Sequence, residues 1–547
     1  MSALTNYSTT PATQLEQART DQVKNNAGGF VFKTSDVARL ERFLILGTDG
    51  GTYYVGERDL TKQNVDFIRE MIKRVPGTVL ATTVEVSKTG RAYRNEAAIF
   101  VLALLLSEDV PAEIKSSTVY AVESVCRTAT HVYQLATFIE GLGGWGRAKR
   151  RAVAKWFESK TPEQLAYQAV KYRQRNGWTQ RDLMRLAHPK GVDPRVGNFI
   201  LRGQNAIESM NFSANDLLGD EPSIIEGFRN MQLAHNSKKV VEVLVRYPNL
   251  PWETIPTQFL KDAEVWKQLF ANGQLKGQAL VRQITRLSRI GAFNDMVFAR
   301  QVADKLVDSD MIAKTRLHPI QYLLASVTHR EGQMQRNEYG YGFSSARRRD
   351  WDIVPVIADA LDEGFHKSFK SVVPADKRTM LALDVSGSMG QTALGIDLSC
   401  AQVTAAMAMI TARVEPYYMI RGFATDFRDL GITPKQDFST ILYKVSNQNF
   451  GGTDCSLPMT WALKNRVEID TFQVYTDNET WGGGTHVYRA LETYRQKMGI
   501  DAKLAVVGVA ATEFSIADPN DPQRQMDFVG FDSNAPAVMA DFSAGRL

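Results

Sequence analysis

The 547-residue chain is poor in cysteine, has no long apolar run and carries no familiar catalytic signature. Its three cysteines, Cys126, Cys400 and Cys455, are far apart and lack CxxC spacing. That excludes a disulfide framework or a cysteine-built zinc site and fits a reducing compartment. The most apolar stretch, Ala97–Leu106, covers ten residues, roughly half of what a membrane-spanning helix needs, and reads as a buried helix. The N-terminal MSALTNYSTTPATQLEQ is polar and lacks the apolar core of a secretory signal. A cytoplasmic protein without a membrane partner is therefore expected. There is no GxxxxGK loop to cradle phosphates and no Ser-His-Asp or Cys-His arrangement, so nucleophilic or nucleotide-driven catalysis has no visible machinery.

What is present is an ordinary globular composition, 44% apolar and 23% charged, on a chain long enough for two or more domains. The net charge of +5 conceals an asymmetry. Residues 371–547 hold 15 Lys+Arg against 20 Asp+Glu, whereas residues 1–370 hold 50 against 40. A basic first part suits a polyanion and an acidic second part suits a cation, although a modest excess of charge can also serve solubility alone.

Apolar residues recur at helical spacing in Val65–Ile72, Ala97–Leu106, Val119–Ile139 and Ala279–Ile290, broken by Val75-Pro-Gly and Gly141-Leu-Gly-Gly. Thr161-Pro-Glu-Gln and Thr179-Gln-Arg-Asp predict helix starts. Helix pairs of this kind suit an α-solenoid, without a fixed-period repeat. The pattern breaks around Glu338-Tyr-Gly-Tyr-Gly-Phe-Ser-Ser-Ala-Arg-Arg-Arg, a candidate connection, and one more helix is expected near Ile353–Leu361. Beyond it strands are predicted at Thr379–Leu383, Tyr417–Phe423, Phe472–Tyr475 and Leu504–Val509. Helices are predicted at Leu394–Ile410, Leu457–Leu463 and Val487–Met498. This alternation predicts a doubly wound parallel sheet.

Asp384-Val-Ser-Gly-Ser follows the first of these strands, and two later loops, Gly451-Gly-Thr-Asp and Thr476-Asp-Asn-Glu, fall at strand or helix edges. In such folds ligands bind beyond the carboxyl ends of the strands. Asp384, Ser386, Ser388, Thr453 and Asp477 would offer three hydroxyls and two carboxylates, a hard-oxygen set suited to one divalent ion, Mg²⁺ or Mn²⁺. With so few anionic ligands the ion would remain electrophilic enough to take a carboxylate or phosphate from a partner. The alternatives are a capping cluster without metal and a catalytic metal site. The latter would need a base or activated water; Glu479 and His486 lie nearby, but such residues are more often at the surface or at caps.

From Gly141 to Lys190 there are 12 Lys+Arg against 3 Asp+Glu. Helical spacing places Gln164, Gln168, Lys171 and Arg175 on one face, and Arg181, Arg185 and His188 on another. Arg147 and Lys149, with Arg150 and Arg151, follow the turn that ends at Gly146. Faces of one sign favour a phosphate backbone, whereas a solvated helix face usually mixes signs. Arg282, Arg286 and Arg289 form a weaker second face that an amphipathic core helix explains equally well.

Several blocks resemble the Ro 60 kDa autoantigen family, in which a TROVE module precedes a von Willebrand A domain. They are Asn25-Asn-Ala-Gly-Gly-Phe-Val-Phe, the stretch from Arg39 to Tyr54, Lys171-Tyr-Arg-Gln-Arg, Gly452-Thr-Asp-Cys and Tyr475-Thr-Asp-Asn-Glu-Thr. The resemblance runs from about Val23 to near the end. It implies a helical-repeat ring of HEAT type over residues 23–370, closed by an A domain over 371–547. Residues 1–22 have no counterpart and are expected to be disordered. It further implies a non-enzymatic RNA-binding protein, a monomeric ring that takes a Y RNA-like small noncoding RNA on its outer basic surface and misfolded RNA 3′ ends in its central hole. The outer site would fall on Lys171, Arg175, Arg181, Arg185 and His188, with Arg147 and Lys149 nearby, and the metal on Asp384, Ser386, Ser388, Thr453 and Asp477. An exoribonuclease partner is implied for bacterial members, and DNA is not. The residues alone leave two other classes open, a metal-dependent protein-assembly module and a metal-dependent RNA hydrolase.

Overall fold

From Asp36 to Lys367 the described chain is almost wholly helical. The computed structural model describes residues 13–48, 51–52, 54–202, 224–336, 343–369, 372–394, 396, 398–448 and 451–547. Helix starts are set by caps. Ser35, Asn236, Asp295 and Asp308 each accept a first-turn N–H, and Thr161 and Thr179 form the expected capping boxes with Gln164 and Asp182. Helices two apart then stack. Pro76–Thr89 packs on Ala112–Val125, that helix on Arg147–Glu158, and that one on Gln180–Ala187, while Glu96–Ser107 packs on Ala129–Gly141. Two layers of stacked helices are the geometry of an α-solenoid. Glu96–Ser107 contains the most apolar run and is buried on every side from Val101 to Leu106, so its hydrophobicity is that of a core element. Among the described residues no helix is long and apolar enough to cross a membrane.

The candidate connection differs from expectation. Gln333–Arg336 and Phe343–Arg348 pair as an antiparallel hairpin, and residues 338–342 lie outside the described residues. The helix expected near Ile353–Leu361 spans Pro355–Lys367.

The C-terminal domain is built on one six-stranded sheet. Its order is Gln525–Val529, Lys503–Gly508, Thr471–Thr476, Thr379–Asp384, Tyr418–Phe423, Phe427–Asp429. All neighbours are parallel except the last pair. One face carries Leu381, Leu383, Ala505 and Val507 into a core shared with the helical region. The other carries Met380, Ala382, Val474 and Val506 against Met459, Leu491 and Tyr494. Strands buried on both faces read as continuous apolar runs, which is why the central ones are legible in the sequence. Two strands escape the apolar pattern: Phe427–Asp429 is only three residues long, and Gln525–Val529 carries Asp527 at its centre. The helix expected to open at Leu394 begins at Cys400 instead, where Ser399 and Gln402 form a capping box, and Leu394 itself has a left-handed backbone (φ 52°).

This domain touches both ends of the helical array. Pro319–Glu331 packs against Phe438–Ser446. At the other end the fully buried Arg42 donates to the carbonyls of Thr512 (2.9 Å) and Phe514 (2.8 Å), and its Nη2 lies 2.6 Å from both Asp527 oxygens. Arg91 bonds Asp532 at 2.8 Å and Glu41 at 2.9 Å. His318 Nε2 sits 3.2 Å from Arg91 O and 3.0 Å from Phe531 O, and its Nδ1 accepts from Ile320 N. These partners require the proton on Nε2. Helical array and sheet domain thus form a closed circuit.

Residues 13–22, expected to be disordered, are in fact seated on the sheet domain; residues 1–12 lie outside the described residues. Gln22–Lys24 pairs with Phe30–Lys33, which pairs in turn with Phe514–Ser515. The segment is too polar to build a core of its own, but its amides answer donors and acceptors on distant loops.

Candidate functional site: a buried acidic pair and an exposed arginine face

The strand Thr379–Asp384 is buried throughout and delivers Asp384 to its carboxyl end. The neighbouring strand Thr471–Thr476 delivers Asp477 in the same way. Asp384, Ser386, Ser388, Thr453 and Asp477 are all at most 3% exposed. Asp384 Oδ1 accepts from Ser386 N (2.9 Å) and Oδ2 from Thr476 Oγ1 (2.7 Å). The Ser386 and Ser388 hydroxyls lie 3.2 Å apart. Asp477 Oδ1 accepts from Glu479 N at 3.0 Å, but its buried Oδ2 has no partner. Thr453 belongs to a loop tied to the Asp477 loop, its carbonyl accepting from Trp481 N (3.0 Å) and Gly482 N (2.9 Å). Burial, and for Asp384 the adjacent charge of Asp477, pushes both carboxyls above their ordinary range; the hydroxyls of Ser386, Thr476 and Ser388 only partly offset it.

Uncompensated buried carboxylates are costly unless something positive answers them. The orphaned Asp477 oxygen, the lack of a neutralising cationic side chain among the described contacts and the clustered hydroxyls together fit a hard divalent ion. Among the described residues no cluster of three or more His, Cys, Asp or Glu is found; any donor set here would therefore combine the two carboxylates with hydroxyls. Glu479 and His486 are not surface residues. Glu479 is buried and pushed up to about 8, first by desolvation and then by Asp477. It accepts from Asn26 Nδ2 (2.7 Å) and Ala27 N (3.0 Å). His486 contacts Gln22 and Glu16 O through its two ring nitrogens.

The basic segment is rearranged relative to its helical reading. The helix Pro162–Lys171 ends before Arg175, which sits in a small hairpin of Gln174–Arg175 and Trp178–Thr179. Asn176 and Gly177, both at positive φ, form its turn. Gln168 is spent on capping, accepting from Ala129 N at 2.9 Å. Lys171 is half-buried against Tyr167 and Tyr172, with Glu253 at 3.8 Å. Lys149 is buried, and its ammonium donates to Gly144 O at 2.8 Å, closing the end of the preceding helix. These two lysines therefore do not belong to an open basic face. Arg147, Arg150 and Arg151 are exposed on one helix, Arg181 and Arg185 on the helix packed beside it with His188 at its C-cap, Arg175 on the hairpin and Arg173 just before it. Trp145 meets Trp178 edge-to-face at 5.8 Å and draws the glycine turn against that hairpin. The second face is split: Arg286 packs over Trp252 and Trp266, while Arg282 stays exposed and Arg289, also exposed, is paired with Asp350.

A helical solenoid closed by a doubly wound domain with hydroxyl-rich loops at its strand ends defines a repeat protein joined to a von Willebrand A-type domain. The TROVE domain model matches residues 23–345 and the Ro60 vWA domain model matches residues 378–543. The chain is 39% identical over 542 residues to the RNA-binding protein RO60 of Deinococcus radiodurans, covering 98% of this chain and 97% of the relative. To the RNA-binding protein RO60 of Caenorhabditis elegans it is 30% identical over 604 residues, covering 98% and 92%. The crystal structure of the Deinococcus radiodurans Ro (Rsr) protein superposes with a TM-score of 0.65 at 38% identity, covering 94% of this chain and all of the other. The chain belongs to the Ro60 family.

Proposed function

We propose that this chain is a non-enzymatic RNA-binding protein of the cytoplasm that holds structured small noncoding RNA, of the Y RNA kind, on its exposed arginine face. Single-stranded 3′ ends of misfolded RNA would enter the centre of the circuit, for quality control or for hand-over to an exoribonuclease. The observation that carries this reading is the set of exposed arginines carried by two packed helices and the hairpin between them in sequence. Phosphate contacts from such a face supply affinity without sequence preference, and an unpaired 3′ end supplies the selectivity. The two relatives, both named RNA-binding proteins, support the same class of ligand.

In the same reading Asp384, Ser386, Ser388, Thr453 and Asp477 hold one divalent ion, Mg²⁺ or Mn²⁺. When bound, that ion supplies a Lewis-acidic position able to take a carboxylate or phosphate oxygen from a partner. The chain's own residues fix the site. Thr476 and the Ser386 amide orient Asp384, and the Glu479 amide orients Asp477.

The test is incubation of the protein with a hairpin RNA bearing a single-stranded 3′ tail, in Mg²⁺ and in EDTA. The expected result is a complex in which the RNA keeps its length under both conditions. Metal-dependent shortening that disappears in Asp384→Ala would replace this reading with a hydrolase. Absence of any complex would leave the assembly-module reading.

A further inference from the structure

Two of the five proposed metal residues stand on loops that the N-terminal segment grips, and the other three do not. Gln14 is fully buried, and its side-chain amide is shared between the two loops. Nε2 donates to Asp454 Oδ1 and to Thr485 O, both at 2.9 Å, while Oε1 accepts from Thr480 Oγ1 at 2.6 Å. Its backbone N–H donates to Gly483 O at 3.0 Å. Asn25 Nδ2 donates to Asn478 O (3.1 Å) and Thr480 O (2.9 Å), with its Oδ1 held by Gly29 N. Asn26 and Ala27 hold Glu479. At Gly29 a Cβ would lie 1.9 Å from Thr480 O, so the backbones are pressed together there. The segment therefore engages each residue from Asn478 to Thr480, directly after Asp477, and also Asp454, directly after Thr453. No comparable contact from it reaches the Asp384–Ser388 loop among the described residues.

We propose that the segment Gln14–Gly29 is a structural part of the metal centre, positioning Thr453 and Asp477 for the ion; this rests on the metal reading above. Ligand geometry must be held within a fraction of an ångström, and groups behind the ligands commonly control metal affinity about 10–100-fold. The loops on which Thr453 and Asp477 stand bond to each other mainly through Thr453 O and Thr480 Oγ1. Gln14 supplies the remaining bridge, and Asn25 pins the Asp477 loop alone through Asn478 O and Thr480 O. Both are positioning residues, since they bond the neighbours of Thr453 and Asp477 and not the ligand side chains themselves. The consequence is that a site encoded from residue 384 onward depends on side chains encoded before residue 30.

The experiment uses the full chain and Mn²⁺ alone as the probe, titrated by calorimetry and by electron paramagnetic resonance. Four proteins are compared: wild type, Asp384→Ala, Gln14→Ala/Asn25→Ala and Arg378→Ala. Arg378 pairs with Asp470 at the start of the strands Thr379–Asp384 and Thr471–Thr476, the end opposite the metal residues, and among the described residues it makes no contact with the N-terminal segment. Its variant thus weakens the sheet domain without loosening the segment. The expected result is Mn²⁺ binding by wild type, loss in Asp384→Ala, a drop of about tenfold or more in the double variant, and affinity within twofold of wild type for Arg378→Ala. Wild-type affinity in the double variant would overturn the proposal, as would an equal drop in Arg378→Ala, because affinity would then follow general stability. If wild type itself takes no Mn²⁺, both the metal reading and this proposal fall. Hydrogen exchange at residues 478–482 then separates the two, since faster exchange in the double variant alone would show that the grip is real and serves something other than an ion.

Discussion

The two candidate sites carry unbalanced charge in opposite ways. In the sheet domain two carboxylates are buried side by side, held by strand ends and answered only by hydroxyls and amides. On the helical array the arginines are spread over a solvent-facing surface where water already solvates them. The first arrangement costs folding energy and is sustained by the surrounding packing; in the proposed reading that cost suits a small ion able to enter the gap. The second costs almost nothing and, in the same reading, suits a large polyanion through the number of contacts. A buried imbalance therefore specifies chemistry, whereas an exposed one specifies reach and charge density.

The comparison is broken most severely at Asp384. Asp384→Asn should abolish Mn²⁺ binding, a loss of at least about a hundredfold, since ligand removal exceeds the effect of outer groups. In metal-free protein the same change should stabilise the sheet domain by about 1 kcal/mol, because one uncompensated buried charge is gone. RNA affinity should stay within twofold. Calorimetry and melting in EDTA check all three; a destabilised metal-free variant would mean that the pair is not an energetic burden.

Acidification comes next. Both carboxyls of the pair are raised by burial, so protons compete with the ion, and Mn²⁺ affinity should fall steadily from pH 8 to pH 5. The contact of His318 with Arg91 and Phe531, between helical array and sheet domain, should weaken over the same range for a different reason. Burial lowers His318 to about 4, below its unfolded value of about 6.5. Between these values the unfolded chain binds the extra proton, so stability is complete above pH 6.5 and declines as pH falls toward 4. At pH 5 the loss is about 2 kcal/mol. His318→Gln should show a smaller melting-temperature difference between pH 7 and pH 5 than wild type; an equal difference would remove His318 from the account.

The smallest effect sharpens the comparison. Lys149→Met should cost about 1 kcal/mol of stability through removal of the bonds to Gly144 and Leu142, with RNA affinity unchanged. Arg147→Ala, two residues away, should do the reverse. Equal behaviour of the two variants would mean that burial does not separate structural from binding cations here.

Particular residues explain what can be read in advance. Asp384 directly follows the apolar run Met380–Leu383 and Asp477 directly follows the strand Thr471–Thr476, and a parallel sheet sends such positions to one edge, so their convergence follows from topology alone. The helical extension from Lys171 to Arg175 fails because Asn176-Gly177 favours a tight hairpin turn. Lys149 is misplaced by its helical spacing because a helix face says nothing about the preceding turn folding back over it. The role of Gln14 and Asn25 is illegible, since uncharged amides in a polar segment carry no periodicity, and their partners lie more than 400 residues away. Asn25-Asn-Ala-Gly-Gly-Phe is visible only as part of a family resemblance, without a physical role.

The most direct test of the central claim is a salt series for binding of a tailed hairpin RNA to wild type and to Arg147→Ala/Arg181→Ala/Arg185→Ala. The account predicts tight wild-type binding that weakens steeply with salt. It predicts a variant that binds about tenfold or more weakly at low salt, with a slope reduced by roughly 0.7–0.9 for each phosphate that is no longer neutralised. Equal affinities and equal slopes for the two proteins would contradict it and move the RNA site away from the arginine face.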